Sequence, residues 1–241
     1  MTGMAGDIPR SDQFERPRFT ASGVRRGSRE IAPIAAFVIP FGIAFGVAAF
    51  AKGISPGISV FMSIAIYAGA SQFAALDLWY APLPLATLAL TVLAVNARHI
   101  LLGAALAPWL LQIPIVRRLA ALLLLSDANF AHTMAVRDRG ETDAGILFGS
   151  GLTMWIIWIV STAVGALAGS LLGDLSRFGF DAVMVAYFTA VIVGWWKGRS
   201  DLFPFVTAAA VAVAGTYVLP AGWHIIAGAL VGGIAGVWRH G

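Results

Sequence analysis

Between Ile31 and Ala51 the chain carries 21 consecutive residues without a charge. Further apolar runs occupy 57–80, 83–111, 119–136, 144–172, 181–196, 202–219 and 222–238. A helix rises 1.5 Å per residue, so about 20 apolar residues cross the roughly 30 Å hydrocarbon core of a bilayer. Only 12% of the residues are charged and 59% are hydrophobic, against roughly 25% charged in a soluble domain. That leaves too little polar surface for water. The runs are continuous, not alternating in short strands, which argues against a β-barrel. The expected fold class is all-α, a polytopic helical membrane protein with about eight (seven to eight) transmembrane helices.

Residues 1 to 29 are polar and rich in Arg, Ser, Gly and Pro, and are expected to form a flexible cytoplasmic tail. Residues 30–241 then form one transmembrane domain. Ala49-Phe50-Ala51 has the small residues of a signal-peptide cleavage site, but the preceding run is too long for an h-region of about 7–15 residues. The chain has no cysteine, so thiol chemistry and disulfides are excluded. His99, His132, His224 and His240 show no metal-binding spacing, and no cofactor motif is present. The pI near 10 does not point to nucleic acid, because the basic residues flank apolar runs and suit anionic lipid headgroups.

With eight crossings and the N-terminus inside, eleven Lys and Arg residues face the cytoplasm and four (Lys52, Arg117, Arg118, Arg177) face outward. This follows the positive-inside rule, with Arg117-Arg118 as its weak point. The run 83–111 is long for one crossing and holds Asn96-Ala97-Arg98-His99 at its middle. One tilted helix or two half-helices both fit, and a segment folded back there inverts every later orientation.

The stretch 45–69 shares a pattern with 164–190, and "RHILLGAAL" echoes "WHIIAGALV". Repeat halves 31–111 and 144–238 are one reading, and such repeats are common in transporters. Gly42-x-x-x-Gly46, Gly145-x-x-x-Gly149 and Gly165-x-x-x-Gly169 suit close helix packing, where small residues let backbones approach. Pro40, followed by Gly42, removes a backbone donor, and the pair is a candidate kink or gate.

Polar groups inside the apolar runs carry the functional information, since an Arg or Asp at mid-helix costs about 2.5–3.5 kcal/mol on insertion scales. Gly69, Ala70 and Ser71 allow close approach to the backbone, and Gln72 offers a donor and an acceptor. They suit either the wall of a substrate cavity or a tight helix crossing with Gln72 bonded to a neighbour. Asn96 can cap a half-helix, Arg98 can hold a carboxylate and His99 can carry a proton near neutral pH. Arg98 can equally snorkel to an interface. Asp127 follows four leucines and Ser126, which demands a partner or a proton. Arg98 is the obvious partner. Asp181 is a candidate helix cap, and Asp77, beside Trp79 and Tyr80, is expected at the interface.

The stretches "YAGASQFAALDLW", "LAVNARHILLGAALAPWL" and "LSDANFAH" resemble the AzlC-type branched-chain amino acid permeases, the large subunits of bacterial two-component exporters. "FGFDAVMVAYF" and "LPAGWHIIAGALVGGIAG" fit the C-terminal half of that family, so the resemblance runs from about 31 to 238. It implies a multi-pass protein of the bacterial inner membrane that exports valine, leucine and isoleucine with a small hydrophobic AzlD-type partner. The family motifs fall on Gly69, Ser71, Gln72, Asn96, Arg98, His99 and Asp127. Many relatives carry an Asp-Glu pair where this chain has Asp127-Ala128, which leaves no second acid for a two-carboxylate proton relay.

A zwitterion with an apolar tail needs a carboxylate partner, an ammonium partner and an apolar pocket. Arg98 or a helix N-terminus suits the first, and Gln72, free carbonyls or Asp127 the second. Two other classes compete. An intramembrane hydrolase built on Ser71, His99 and Asp127 needs Ser71 within hydrogen-bond reach of His99, and the chain has no G-x-S-x-G motif. A non-transporting assembly subunit predicts no polar cavity between the helices.

Overall fold

The computed structural model describes residues 17–172, 189, 193, 196, 198–219 and 223–240. Most of the expected span 181–196, Asp181 and most of the second repeat stretch lie outside these residues. The helices are α1 (Ala21–Ala51), α2 (Pro56–Ala65), α3 (Gly69–Asp77), α4 (Leu85–Asn96), α5 (Arg98–Leu110), α6 (Ile115–Leu123), α7 (Asp127–Arg137) and α8 (Gly145–Leu172). The hairpin of α9 (Leu202–Val218) and α10 (Trp223–His240) follows. The chain is a helical membrane protein. Among the described residues four helical stretches are long and apolar enough to cross a bilayer: Ala21–Ala51, Leu85–Leu110, Gly145–Leu171 and Arg199–Val218.

α1 and α8 form the centre and run parallel. Gly27 of α1 lies on the Ile146 carbonyl, Gly42 on Ser161, Gly46 on the Thr162 carbonyl, and Phe50 packs beside Gly169. Both indices rise together, as parallel helices require. The close contacts are reciprocal: Gly149 lies on the Val24 carbonyl as Gly27 lies on Ile146, and Gly165 on the Ile43 carbonyl as Gly46 on Thr162. Two related helices packed about an axis between them produce this pattern. No Cβ fits at these four positions, and the backbones gain dispersion contacts that lipid does not supply.

α1 starts at Ala21, so residues 21–29, expected in the flexible tail, form its first turns. Thr20 caps it, its Oγ1 accepting from the Gly23 N–H at 2.9 Å. The Asp143 carboxylate accepts from the Thr20 N–H at 3.1 Å and the Gly145 N–H at 2.8 Å, and from the Thr20 hydroxyl. One side chain thus satisfies donors at the starts of both central helices. A short parallel bridge between Arg18 and Asp143 completes the junction.

The expected crossings 57–80 and 119–136 are not single helices: each breaks at its middle into two short helices that fold back on one another as a hairpin. In the first, Tyr67 takes a positive φ of 43°, a conformation that ends a right-handed helix, and α3 turns back beside α2. Leu76 of α3 and Ile54, just before α2, then share one apolar cluster with Ala49 near the end of α1. In the second, Ser126 and Asn129 form a capping box that starts α7 anew. Both ends of this hairpin lie near the start of α1: the Arg117 guanidinium stacks over Phe19 at 5.5 Å, and the Arg18 N–H donates to the Thr142 carbonyl at 3.2 Å.

The run 83–111 crosses. α4 and α5 join at Ala97, whose φ of −54° and ψ of −28° are helical. With one crossing between them, α1 and α8 are parallel. Arg117 and Arg118 therefore lie on the face of the α1 N-terminus, which removes the weak point in the charge distribution. α9 and α10 pack through Gly228 and Gly232 against Ala212 and Ala208.

Candidate functional site

The two hairpin breaks, at 66–68 and 124–126, meet between α1, α5 and α8. They border a half-open cavity of about 440 Å³, inside the roughly 300–1,000 Å³ range of ligand pockets. Its polar side is formed by Arg98, His99, Ser126 and Asp127. Its apolar side is formed by Val38 and Phe41 of α1, Ala128 and Ala131 of α7, and Met154 and Trp158 of α8. Tyr67, Ala68 and Gly69 close it at the first break.

Arg98 Nη1 and Asp127 Oδ2 form an ion pair at 3.1 Å, each side chain about one-quarter exposed. The contact uses one edge of each group. Arg98 Nε and Asp127 Oδ1 are both shielded from solvent with no hydrogen-bond partner. Orphaned buried polar atoms are costly, and here one is a cationic donor and the other an anionic acceptor. Asp127 is not at mid-helix, as the sequence led us to expect, but at the first position of α7. There the helix dipole favours its charge, which lowers the cost of keeping a carboxylate at this depth.

The N-terminus of α3 opens on the same cavity. Its first turn begins at Gly69 and receives no side-chain cap, so its N–H groups favour an anion. The two half-helix starts thus converge from opposite faces. His99 Nδ1 lies 3.1 Å from the Asn96 carbonyl. A carbonyl only accepts, so Nδ1 carries the hydrogen, and in the neutral ring Nε2 is the free acceptor.

Gln72, Ser71 and Asn96 stand behind the wall. Gln72 is fully buried; its Nε2 donates to Ser63 Oγ at 3.1 Å and its Oε1 accepts from Trp158 Nε1 at 2.9 Å. Ser63 Oγ shares a hydrogen with Thr162 Oγ1 at 2.8 Å. Ser71 Oγ donates to the Ala68 carbonyl at 2.9 Å and accepts from Asn96 Nδ2 at 3.2 Å. Neither of these bonds joins Ser71 to His99. Gln72 therefore holds the Trp158 indole, which stacks on Phe45 with ring centroids 6.1 Å apart. A Cβ on Gly69 would sit 2.9 Å from that indole, so Gly69 combines tight packing with the cavity wall.

Of the residues singled out in the sequence, Gly69, Arg98, His99 and Asp127 line the cavity, while Ser71, Gln72 and Asn96 brace it. Pro40 and Gly42 flank Phe41 on α1, and Gly42 is pressed against Ser161. Sequence reasoning missed Tyr67, Met154 and Trp158. Tyr67 stood next to the noticed Gly69–Gln72 stretch, but nothing in "MWIIWIV" separates an inward Trp158 from a lipid-facing one.

Residues 33–172 match the AzlC protein family. The inner membrane protein YgaZ of Escherichia coli K12 is 33% identical over 218 residues, 86% of each chain. An uncharacterized membrane protein of Archaeoglobus fulgidus is 32% identical over 89% of this chain and 94% of its own. The branched-chain amino acid transport protein AzlC of Bacillus subtilis is 26% identical over 64% of this chain and 61% of its own. No solved structure matches the chain.

Proposed function

We propose that this chain, which belongs to the AzlC protein family, exports branched-chain amino acids (valine, leucine, isoleucine) across a bacterial cytoplasmic membrane by alternating access. The substrate class comes from the name of the Bacillus subtilis relative and from the chemistry of the cavity. The observation that carries the reading is the Arg98–Asp127 ion pair, a cation and an anion that both line the cavity's polar side. An amino-acid zwitterion matches this pair of charges, its carboxylate facing Arg98 and the α3 N-terminus, its ammonium facing Asp127. The apolar side receives the aliphatic tail.

The re-entrant hairpins supply the moving parts. Each half-helix closes the cavity toward one face, so displacing α2–α3 or α6–α7 opens it to that face alone. Pro40 and Gly42 give α1 a place to bend where it borders the cavity. The face of the α1 N-terminus is cytoplasmic in this proposal. Arg18, Arg25, Arg26, Arg29, Arg117, Arg118, Arg137 and Arg139 lie on it up to residue 172, against Lys52 opposite. A small AzlD-type membrane subunit completes the exporter. The polar cavity argues against a non-transporting assembly subunit, and the commitment of Ser71 to Ala68 and Asn96 argues against a hydrolase.

Efflux of labelled valine from loaded proteoliposomes tests the proposal. Wild-type chain, with its partner subunit where efflux requires it, is expected to release valine, and Arg98→Ala to abolish release at equal insertion. Equal efflux from both removes Arg98 from the mechanism.

A further inference from the structure

The apolar side of the cavity is built from unequal parts. Val38 is β-branched and stiff at χ1; Phe41 and Trp158 are rigid rings. Trp158 is held further by Gln72 at its indole nitrogen, 2.9 Å away, and by the stack on Phe45. Met154, 5% exposed, packs in one cluster with Ile31 and Ala35, and Val38, Tyr67 and Ala128 pack against that cluster. Methionine is the adaptable member, with three rotatable bonds and a polarizable sulfur. Ala128 is the small member. It follows Asp127 directly on the first turn of α7, rotated by about 100° around the helix, so it is the nearest apolar side chain in sequence to the carboxylate that takes the ammonium.

We propose that Ala128 sets the upper size of the substrate side chain and that Met154 sets its tolerance for shape. This rests on the reading of the cavity as an amino-acid site. With the ammonium at Asp127, the substrate's Cβ and Cγ lie over the Ala128 methyl. A larger residue there fills the space that a γ- or δ-methyl group needs while leaving room for alanine. Met154 reshapes around valine, isoleucine, leucine or methionine, so the site takes a class of five- and six-carbon apolar amino acids rather than one member. A methylene misfit in an apolar pocket is worth about 10–200-fold in discrimination.

The test uses full-length purified chain in nanodiscs, with ligand-dependent thermal stabilisation by alanine, valine, leucine, methionine and phenylalanine. For the wild type, valine, leucine and methionine are expected to stabilise and phenylalanine not to. For Ala128→Leu, the half-saturating concentrations of leucine and methionine are expected to rise at least 10-fold, and that of alanine to stay within about 3-fold. Met154→Ala is expected to admit phenylalanine and gives an independent reading should Ala128→Leu not fold; Ala128→Val gives a smaller step in the same direction. An equal loss for every amino acid, or an unchanged ladder in all variants, overturns the inference and leaves the amino-acid site standing. A wild-type chain that no amino acid stabilises overturns the site itself, and the inference with it.

Discussion

Gln72 Nε2 donates to Ser63 Oγ across 3.1 Å although nine residues separate them. On a straight helix nine residues span about 13 Å, so the bond exists only because the chain reverses at Tyr67. The same reversal returns Leu76 to the end of α1 that it left at Ala49. Together the two contacts fit a re-entrant hairpin and not a straight crossing. The cysteine-free chain lets introduced thiols test it without background. Lys52→Cys and Ala81→Cys are expected to react with an impermeant maleimide from one face, and Gln112→Cys and Gly140→Cys from the other. An arrangement with eight crossings puts positions 52 and 81 on opposite faces, and positions 112 and 140 likewise.

The α1–α8 interface predicts a second outcome. Gly149 and Gly165 of α8 rest on the backbone of Val24 and Ile43, which cannot rotate away as a side chain does. Gly149→Ala and Gly165→Ala are expected to destabilise by about 1–3 kcal/mol, the usual cost of overpacking. Gly103→Ala is the control: nothing lies within 4 Å of its would-be Cβ, so the helix gains up to about 1 kcal/mol of propensity. Thermal unfolding in detergent, read by circular dichroism, separates the two cases. Equal shifts for all three variants dismiss the close packing as the cause.

Composition and run length were enough to read the fold class, because a hydrocarbon solvent forces helices and leaves few alternatives; the family was read from the stretches around Gly69–Gln72, Asn96–His99 and Asp127. Composition and run length did not reveal which runs cross. The runs 57–80 and 119–136 are long and apolar enough to resemble crossings, and their reversals are set by tertiary partners distant in sequence: Thr162 for Ser63, Trp158 for Gln72, Leu147 for Asn129. Arg117-Arg118 carried the warning, since two arginines fit poorly on an outer face. The site was legible as a set of costly polar residues. Its division into lining and bracing residues was not, because hydropathy prices Gln72 and Arg98 as intruders without saying what each one touches.

Gln72 as a brace leads to a prediction distinct from Gln72 as a ligand. Gln72→Leu leaves Trp158 Nε1 without its acceptor, while Ser63 Oγ keeps Thr162 Oγ1, and an unpaired buried group costs about 1–3 kcal/mol. A fall in stability of that size is expected, and weaker substrate binding with it, through loss of indole position. Restoring the wall without the amide separates the roles: Gln72→Leu combined with Trp158→Phe removes the orphaned indole N–H, leaves the Ser63–Thr162 bond in place and is expected to recover most of the lost stability. A double variant no more stable than Gln72→Leu alone rejects the bracing role. Thermal midpoints measured without ligand decide it.

Arg98 and Asp127 act on each other before they act on a substrate. Removing either leaves an opposite charge about one-quarter exposed and without its partner, so each single substitution is expected to destabilise more than half as much as both together. A double-mutant cycle with Arg98→Ala and Asp127→Ala measures this coupling directly. Binding follows a different rule. Each residue holds one end of the zwitterion, and a hydrogen bond to a charged group is worth about 1.5–3 kcal/mol. Each single alanine variant is therefore expected to weaken valine binding by about 10–150-fold. Arg98→Lys keeps the charge but not the planar fork, so the ammonium cannot contact Asp127 and a carboxylate in two places at once. Arg98→Lys is expected to retain stability near wild type while losing about 10-fold in valine affinity. Loss of stability without loss of affinity in the lysine variant identifies the pair as structural and detaches it from transport.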